Sequence, residues 1–490
     1  MSRPIVVLVY TRTGWDIKNV TSLLPLSVLY LVRPLKQAGF DVALIDQRID
    51  RDWAATLRRA AQNALFVGIS AMTGTQIEWG LRAAAAVREA APRTPIVWGG
   101  IHPSMTPAQT AAHPLVDIVA RGEGETTVVE IARALAGGGD LREVAGLTFR
   151  RDGGLVETPD RPMLDSLDQA LVPDYDAVSV EDYITTQTLG LRDLAITTSR
   201  GCPNRCVYCY NPPYNRRRWR AQSSAAAVEH IRSVHERFGV QGILIKDDNF
   251  YVDRRRVEAI AEGLNRANLG VIVRGECRAD YIARGWDEAF LRFLHQSGFR
   301  EMTVGAESGD DAILSQLNKD ITVADIREAN QRLRRAGIAV KFTFMAGFPS
   351  EDRAALRRTV ALMLELIDTN PLARVTPLHL FAPYPGTQLF DAAVANGYRP
   401  PADLAAWAKV SFHNLDLPWI APAASRRLER ASVATYFLDR QTVAEYFTGR
   451  PLVQAAARLY GRVIRWRCRR MFFRFMPEMG LLDWFRRRVR

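Results

Sequence analysis

The chain has 490 residues, 48% of them hydrophobic and 24% charged, which is ordinary for a globular protein and enough for two or three domains with cores of their own. Its five cysteines are odd in number and mostly clustered, which argues against a disulfide framework and for a reducing cytoplasm, and no apolar run approaches the roughly 18 residues that a spanning helix needs. The net charge of +12 is largely local: from Arg450 onward twelve arginines face only Glu478 and Asp483, which favours a basic terminal arm or a membrane-facing segment and disfavours an evenly basic nucleic-acid surface.

Ile5–Tyr10 (IVVLVY) is a continuous β-branched run, the pattern of a strand buried on both faces. It stops at Thr11 and Arg12, too short for a secretory signal. A helix over Leu26–Ala38 is closed by Gly39, and Asp41–Ile45 is the next strand. The alternation continues with strand Leu65–Ser70, helix Gln76–Ala90, strand Ile96–Trp98, strand Val116–Ala120 and helix Glu125–Ala136. It predicts an α/β, doubly wound (Rossmann-like) domain over residues 1–145, whose ligand sits at the carboxyl ends of the strands. Those ends carry Ser70-Ala71-Met72-Thr73-Gly74, Gly99-Gly100-Ile101-His102-Pro103 and Arg121-Gly122-Glu123-Gly124-Glu125. Taken singly, the glycines fit tight strand-to-helix turns as well as a close backbone approach to a bulky ligand.

Together, GIS, WGGIHPS and RGEGE in this order resemble the cobalamin-binding N-terminal domain of one large branch of the radical S-adenosylmethionine (SAM) enzymes. The resemblance implies cobalamin as a cofactor, with Ser70, Thr73, Gly99, Gly100, His102, Gly122, Glu123 and Gly124 around it. Many cobalamin domains carry D-x-H-x-x-G, whose His is the lower cobalt ligand. Thr11–Lys18 (TRTGWDIK) lacks that motif, which leaves the ligand unassigned, and a hydrogen-bonding role is expected for His102. Gly146–Arg150 and Leu155–Glu157 flank the turn Asp152-Gly153-Gly154 as a small hairpin. Pro159, Pro162 and Pro173 keep the next stretch extended, so 146–190 is read as a linker across the domain seam.

Strand Leu194–Thr198 leads directly into CPNRCVYCY, with three residues between Cys202 and Cys206 and two between Cys206 and Cys209. Thiolates hold iron–sulfur clusters, and a cubane normally takes four, so three leave one iron open to a substrate. A zinc site would want a fourth Cys or His at short spacing; Cys277 and Cys468 are far off, and the nearest His is His230. The spacing, with Tyr208 before the last cysteine, resembles the radical SAM signature. The resemblance implies that Cys202, Cys206 and Cys209 hold a [4Fe–4S] cluster whose open iron is chelated by SAM, and that an electron from the cluster splits the sulfonium to a 5′-deoxyadenosyl radical.

Further strands at Gly242–Lys246, Val271–Gly275, Glu301–Val304, Val340–Met345 and Val375–Leu380 complete six, resembling the partial (β/α)6 barrel of that family over 191–400. Asp247-Asp248-Asn249-Phe250 stands where members hold the SAM amino group; paired carboxylates suit an ammonium, although one of them could cap the next helix. Arg278 offers a planar fork to the SAM carboxylate, or is a surface residue. Gly305–Gly309 resembles the G-x-E-S-G stretch, assigning Glu307 and Ser308 to SAM. Gly347–Glu351 looks like the turn near the adenine, assigning Gly347, and Pro383–Thr387 resembles a P-G-T motif. Cys277 is read as a packed thiol or a hydrogen donor.

From 401 to 490 the pattern is helical and basic. Leu452, Ala456, Leu459, Val463 and Trp466 recur at helical spacing with Arg458, Arg462, Arg465 and Arg469 on other faces, and Met471–Met476, Leu481–Phe485 and Arg486–Arg488 come after them. This suits either a membrane-interface segment serving a lipid-like substrate or a lid with solvated arginines. The expectation is a cytoplasmic radical SAM enzyme, free or at the inner membrane face. It would methylate an unactivated carbon of a small-molecule or lipid-like substrate, using cobalamin and an electron donor such as flavodoxin or ferredoxin. The alternatives are radical cyclisation, oxidation or carbon–carbon coupling, as on a tetrapyrrole or lipid, and a non-catalytic cobalamin sensor. Residues 1–201 contain no Cys, which disfavours RNA methylthiolation.

Overall fold

In the computed structural model, residues 3–14, 16, 22–186, 191–410, 417–439, 451–474 and 476 are described. Part of Thr11–Lys18 and the whole of Leu481–Phe485 and Arg486–Arg488 lie outside them. The first domain runs β1 (Ile5–Tyr10), α1 (Leu26–Gln37), β2 (Asp41–Asp46), α2 (Trp53–Ala61), β3 (Ala64–Ser70), α3 (Thr75–Ala90), β4 (Ile96–Gly99), α4 (Ile101–Met105), α5 (Pro107–Ala111), β5 (Ile118–Ala120) and α6 (Gly124–Gly137). The strands pair in parallel in the order β2-β1-β3-β4-β5. β1 is buried because both its faces are covered: Val6 and Leu8 pack with α1 and α6, and Val7 and Val9 with α2 and α3.

β6 (Leu147–Arg151) and β7 (Gly154–Glu157) extend this sheet antiparallel from β5, so the hairpin expected at the head of the linker belongs to the first sheet. Leu147 and Phe149 are the reason, since their alternate positions are buried in its core. Beyond the hairpin the chain stitches the two domains together. Tyr183 donates to Asp46 Oδ2 at 2.9 Å, and the Tyr175 hydroxyl lies 2.7 Å from His230 Nε2.

The second domain contains β8 (Asp193–Ile196), a ribbon of β9 (Ser199–Arg200), α7 (Asn211–Tyr214) and β10 (Arg220–Ala221), then α8 (Ser224–Phe238), β11 (Gly242–Ile245), α9 (Arg254–Arg266), β12 (Ile272–Cys277), α10 (Glu288–Gln296) and β13 (Phe299–Glu307). It continues through α11 (Asp311–Gln316), α12 (Val323–Ala336), β14 (Ala339–Ala346), α13 (Arg353–Thr369), β15 (Ala373–Val375) and β16 (His379–Leu380). The sheet order is β15-β14-β13-β12-β11-β8, all parallel, with β16 also on β14. The expected last strand, Val375–Leu380, is broken in two around Pro377, which has no N–H for a ladder. Near the amino ends of the strands, two buried ion pairs, each 2.7 Å, reach across an intervening strand: Arg274 of β12 to Asp193 of β8 over β11, and Arg374 of β15 to Glu301 of β13 over β14.

After the barrel come α14 (Gln388–Ala395), α15 (Leu404–Trp407), α16 (Pro422–Thr435) and α17 (Pro451–Arg470). The helical region divides. α15 turns back onto the first domain, where Leu404 and Trp407 join the core beneath α3. Trp407 Nε1 donates to Gln109 Oε1 at 2.6 Å, and Gln109 Nε2 donates to Pro401 O at 2.9 Å. α17 lies along α13, with Arg465 and Arg469 paired to Asp368. No helix among the described residues is long and apolar enough to cross a membrane.

Candidate active site

The cysteine loop leaves the carboxyl end of β8 and is bracketed by the β9–β10 ribbon. Cys206 is buried, Cys202 and Cys209 are half-buried, and all three line one cavity of about 220 Å³. Each sulfur has an N–H donor: Asn204 Nδ2 at 3.1 Å from Cys202, the Asn211 amide at 3.5 Å from Cys209 and Arg278 Nη1 at 4.0 Å from Cys206. Burial pushes the Cys209 thiol up to about 12. Buried thiols that face nitrogen donors suit metal-bound thiolates, whose charge the metal offsets. Among the described residues no three His, Cys, Asp or Glu are gathered closely enough for a single ion.

β13 delivers the next group. Its register shifts between Gly305 and Glu307, and Glu307 takes φ +63°, a conformation seldom adopted by residues other than glycine. Its carboxylate accepts from Lys319 Nζ at 2.8 Å and from the Tyr208 hydroxyl at 3.1 Å, above the cysteines. Burial alone would lower the Lys319 pKa, but Glu307 holds it above the ordinary value. Gly305 makes room: a Cβ there would stand 2.5 Å from Glu307 Oε1 and 2.7 Å from Lys319 Nζ. Arg278, also on the cavity wall, is aimed by Asp280 at 2.9 Å and by the Lys319 carbonyl at 2.5 Å.

The two aspartates after β11 divide. Asp248 lines the cavity, accepting from the Gly201 amide at 2.8 Å and the Tyr210 hydroxyl at 2.5 Å. Asp247 is buried away from it, accepting from the Thr198 amide, the Thr198 hydroxyl and the Ser199 hydroxyl at 2.6, 2.8 and 2.6 Å. It therefore staples β8 to β11 and is not placed to meet SAM. Ser308 is also fully buried, bonded to Thr359 and the Asp310 amide, and Gly347 bonds to Glu351 and Trp419; neither lines the cavity.

At the carboxyl ends of the first sheet, polar side chains are already engaged. Ser70 bonds to Ser27 at 3.0 Å, and Thr73 Oγ1 lies 2.9 Å from His102 Nδ1. The other His102 nitrogen meets Thr106 at 3.1 Å, and the ring packs edge-on against Trp407. Fully buried, with burial lowering its pKa to about 4, His102 is a neutral core residue with no nitrogen free for cobalt. Gly100 has φ +98°, and a Cβ there would come within 2.9 Å of Ala71 O, so the tight turn after Gly99 requires it. Glu123 is directed at arginines of the second domain, and Gly124 opens α6 against Leu31. Around Gly122 the face is open: a Cβ would meet nothing within 4 Å.

The B12 binding domain family matches residues 18–132, and the Radical SAM superfamily matches residues 196–363. The anaerobic magnesium-protoporphyrin IX monomethyl ester cyclase of Synechocystis sp. is 30% identical over 359 residues, 72% of this chain and 70% of that one. The chain belongs to the cobalamin-binding radical SAM enzymes. An uncharacterized methyltransferase of Pyrococcus horikoshii is 28% identical over 399 residues, 80% of this chain and 83% of its own. The solved cobalamin-dependent SAM radical enzyme OxsB shares the fold, with a TM-score of 0.74 at 16% identity, over 100% of this chain and 75% of that one. The cofactors of this radical SAM enzyme are a [4Fe–4S] cluster, SAM and cobalamin.

The residues present fit these groups. Beside the thiols, Asn249 lines the cavity, and its buried Oδ1 has no hydrogen-bond partner, an acceptor ready for a ligand's donor. The open backbone at Gly122 and the half-exposed Met72 suit a flat, bulky ring. Lys319, Asn204, Asn211, Glu276 and Thr343 are among the cavity residues that sequence reasoning did not assign to the site, and Asn249 was read only as part of the stretch Asp247–Phe250. The only signal for Lys319 was a polar triplet, Asn318-Lys319-Asp320, after a short helix, which reads as an exposed turn.

Proposed function

We propose that this radical SAM enzyme transfers a methyl group to an unactivated carbon of a small-molecule or lipid-like substrate. The observation that carries this reading is the apposition of the three-thiol cavity and the open end of the first sheet, where Tyr214, one helical turn past the cysteines, donates to Gly122 O at 3.0 Å. When bound, the cluster and SAM supply a 5′-deoxyadenosyl radical, and cobalamin supplies the methyl group. In this reading Cys202, Cys206 and Cys209 hold the cluster, Arg278 and Lys319 meet the SAM carboxylate, and Asp248 and Asn249 meet its amino group. Glu307, fixed by Tyr208 and Lys319, takes a further hydrogen bond from SAM. Ser70, Thr73, Gly99, Gly100 and Gly122 border the corrin. Residues 1–157, with the hairpin on the edge of the first sheet, would hold cobalamin and 191–400 the radical chemistry, joined by 158–190 and backed by 401–490. A flavodoxin or ferredoxin would deliver the electron.

The outward stripe of α17 supports a cytoplasmic enzyme that touches the inner membrane face. Leu452, Leu459, Val463 and Trp466 are 85, 64, 44 and 46% exposed, beside exposed Arg458, Arg462 and Arg469. Cosedimentation with anionic but not zwitterionic vesicles is expected, and its absence would remove that contact.

The likeness to a cyclase favours a second reading, radical ring formation without net methyl transfer. Anaerobically reconstituted protein with reductant and methyl-deuterated SAM separates the two. A labelled product is expected, whereas an unlabelled product moves the assignment to the second reading. No 5′-deoxyadenosine from protein with a filled cluster would overturn both and leave a cobalamin sensor.

A further inference from the structure

The ribbon that closes the cysteine loop pairs Arg200 directly opposite Arg220. Like charges in that position repel. Both side chains are largely buried, 19 and 6% exposed, where water screens little. The compensating charge comes from the other domain. Glu123 accepts from Arg200 Nη1 at 3.0 Å and from Arg220 Nη1 at 2.9 Å, and Glu125 accepts from Arg200 Nη2 at 2.5 Å. Arg200 also lies over the Tyr30 ring of α1, 5.3 Å from its centre. The connector locks the arrangement: the Leu164 amide donates to Glu123 at 2.7 Å, and its carbonyl accepts from Arg220 at 2.9 Å. Burial would raise the Glu123 carboxyl, but Arg220, Arg200 and that amide hold it below the ordinary value, so it stays charged.

Both glutamates belong to the RGEGE loop, which also carries Gly122 at the open end of the first sheet. We propose that Glu123 and Glu125 are positioning residues for the cluster: supplied by the first domain, they neutralise Arg200 and Arg220 and hold the Cys202–Cys209 loop in its cluster-binding shape. This rests on the radical SAM reading above, and it moves Glu123 from a cofactor contact to a clamp between the domains.

A double-variant cycle on the full-length protein tests it, read in two ways. In protein without cluster, hydrogen exchange over residues 199–221 is expected to speed up at least about tenfold in Glu123→Gln and to return to within about threefold of wild type in Glu123→Gln/Arg220→Gln, because the second change removes the repulsion. In reconstituted protein, iron release to a ferrous chelator is expected to follow the same order with corrin content unchanged. Wild-type exchange in Glu123→Gln, or a double variant no better than the single one, overturns the proposal. Loss of corrin in step with iron also overturns it, because Glu123 would then be a cofactor contact. If Glu123→Gln alone yields no soluble protein, the double variant is expected to be soluble, and its failure overturns the proposal too. The exchange measurement needs no cluster, so a wild-type protein that makes no 5′-deoxyadenosine would sink the functional reading while leaving this one decided on its own.

Discussion

The two sheets present their carboxyl ends to the same seam, yet they are finished differently. Around the barrel opening, side chains carry charge into a cavity: Glu307 with Lys319, Arg278 with Asp280, Asp248 with Tyr210. At the first sheet the polar side chains are bonded among themselves or to the neighbouring domain, and what faces outward is largely backbone. The difference suits the ligands proposed for the two ends. An amino acid head and thiolates need charge at fixed points, whereas a bulky macrocycle needs a flat surface with few obstructions.

The largest expected effect tests whether the two ends are separable. Cys206→Ala should reduce SAM cleavage to background while leaving corrin content unchanged, read by chromatography of 5′-deoxyadenosine and by the visible spectrum of the same sample. Loss of corrin as well would break the separation. The next effect divides the barrel end itself. Asp247→Ala leaves three buried donors unpaired and should lower stability by about 3 kcal/mol in denaturant titration. Asp248→Asn should cost about 1 kcal/mol or less and instead weaken SAM binding about tenfold or more. Equal stability losses would show that both aspartates are structural.

A graded effect, felt only at acid pH, concerns the first sheet and His230 of α8, which meets the connector. His102 and His230 have pKa values lowered to about 4 by burial, from an ordinary 6.5. As pH falls below 6.5 the unfolded chain takes up protons before the fold does, so stability should be constant above that value, fall between 6.5 and 4, and level off below. Each residue accounts for up to about 3 kcal/mol at the acid end. His102→Gln should remove its share of the slope in pH-dependent denaturant melts, to which His113, His295 and His379, also lowered by burial, contribute as well. An unchanged slope would mean that the imidazole is protonated in the folded state, contrary to a neutral core role.

Strand and loop positions along the chain were legible because β-branched runs such as Ile5–Tyr10 have no stable place except between covered neighbours, and Cys202, Cys206 and Cys209 declare their chemistry by spacing. Side-chain direction was not legible. Asp247 and Asp248 are adjacent and identical, and only the path of the loop after β11 sends one into the core and the other into the cavity. Lys319 was missed because a buried lysine is recognised by its partner, and Glu307 is brought to it by a bulge at the end of β13. The hydrogen-bonding role of His102 was legible, but nothing nearby in sequence reveals that Trp407 covers it.

That tryptophan sits 298 residues beyond Gln109, its hydrogen-bond partner. Since Leu404 and Trp407 complete the apolar core beneath α3, the first domain is sealed only after the strands of the barrel have been made, and the aromatic ring that closes it covers on the order of 200 Å². Truncation just past the barrel would therefore injure the domain at the far end of the chain by baring apolar surface there, in addition to stripping the barrel of the packing of α16 and α17.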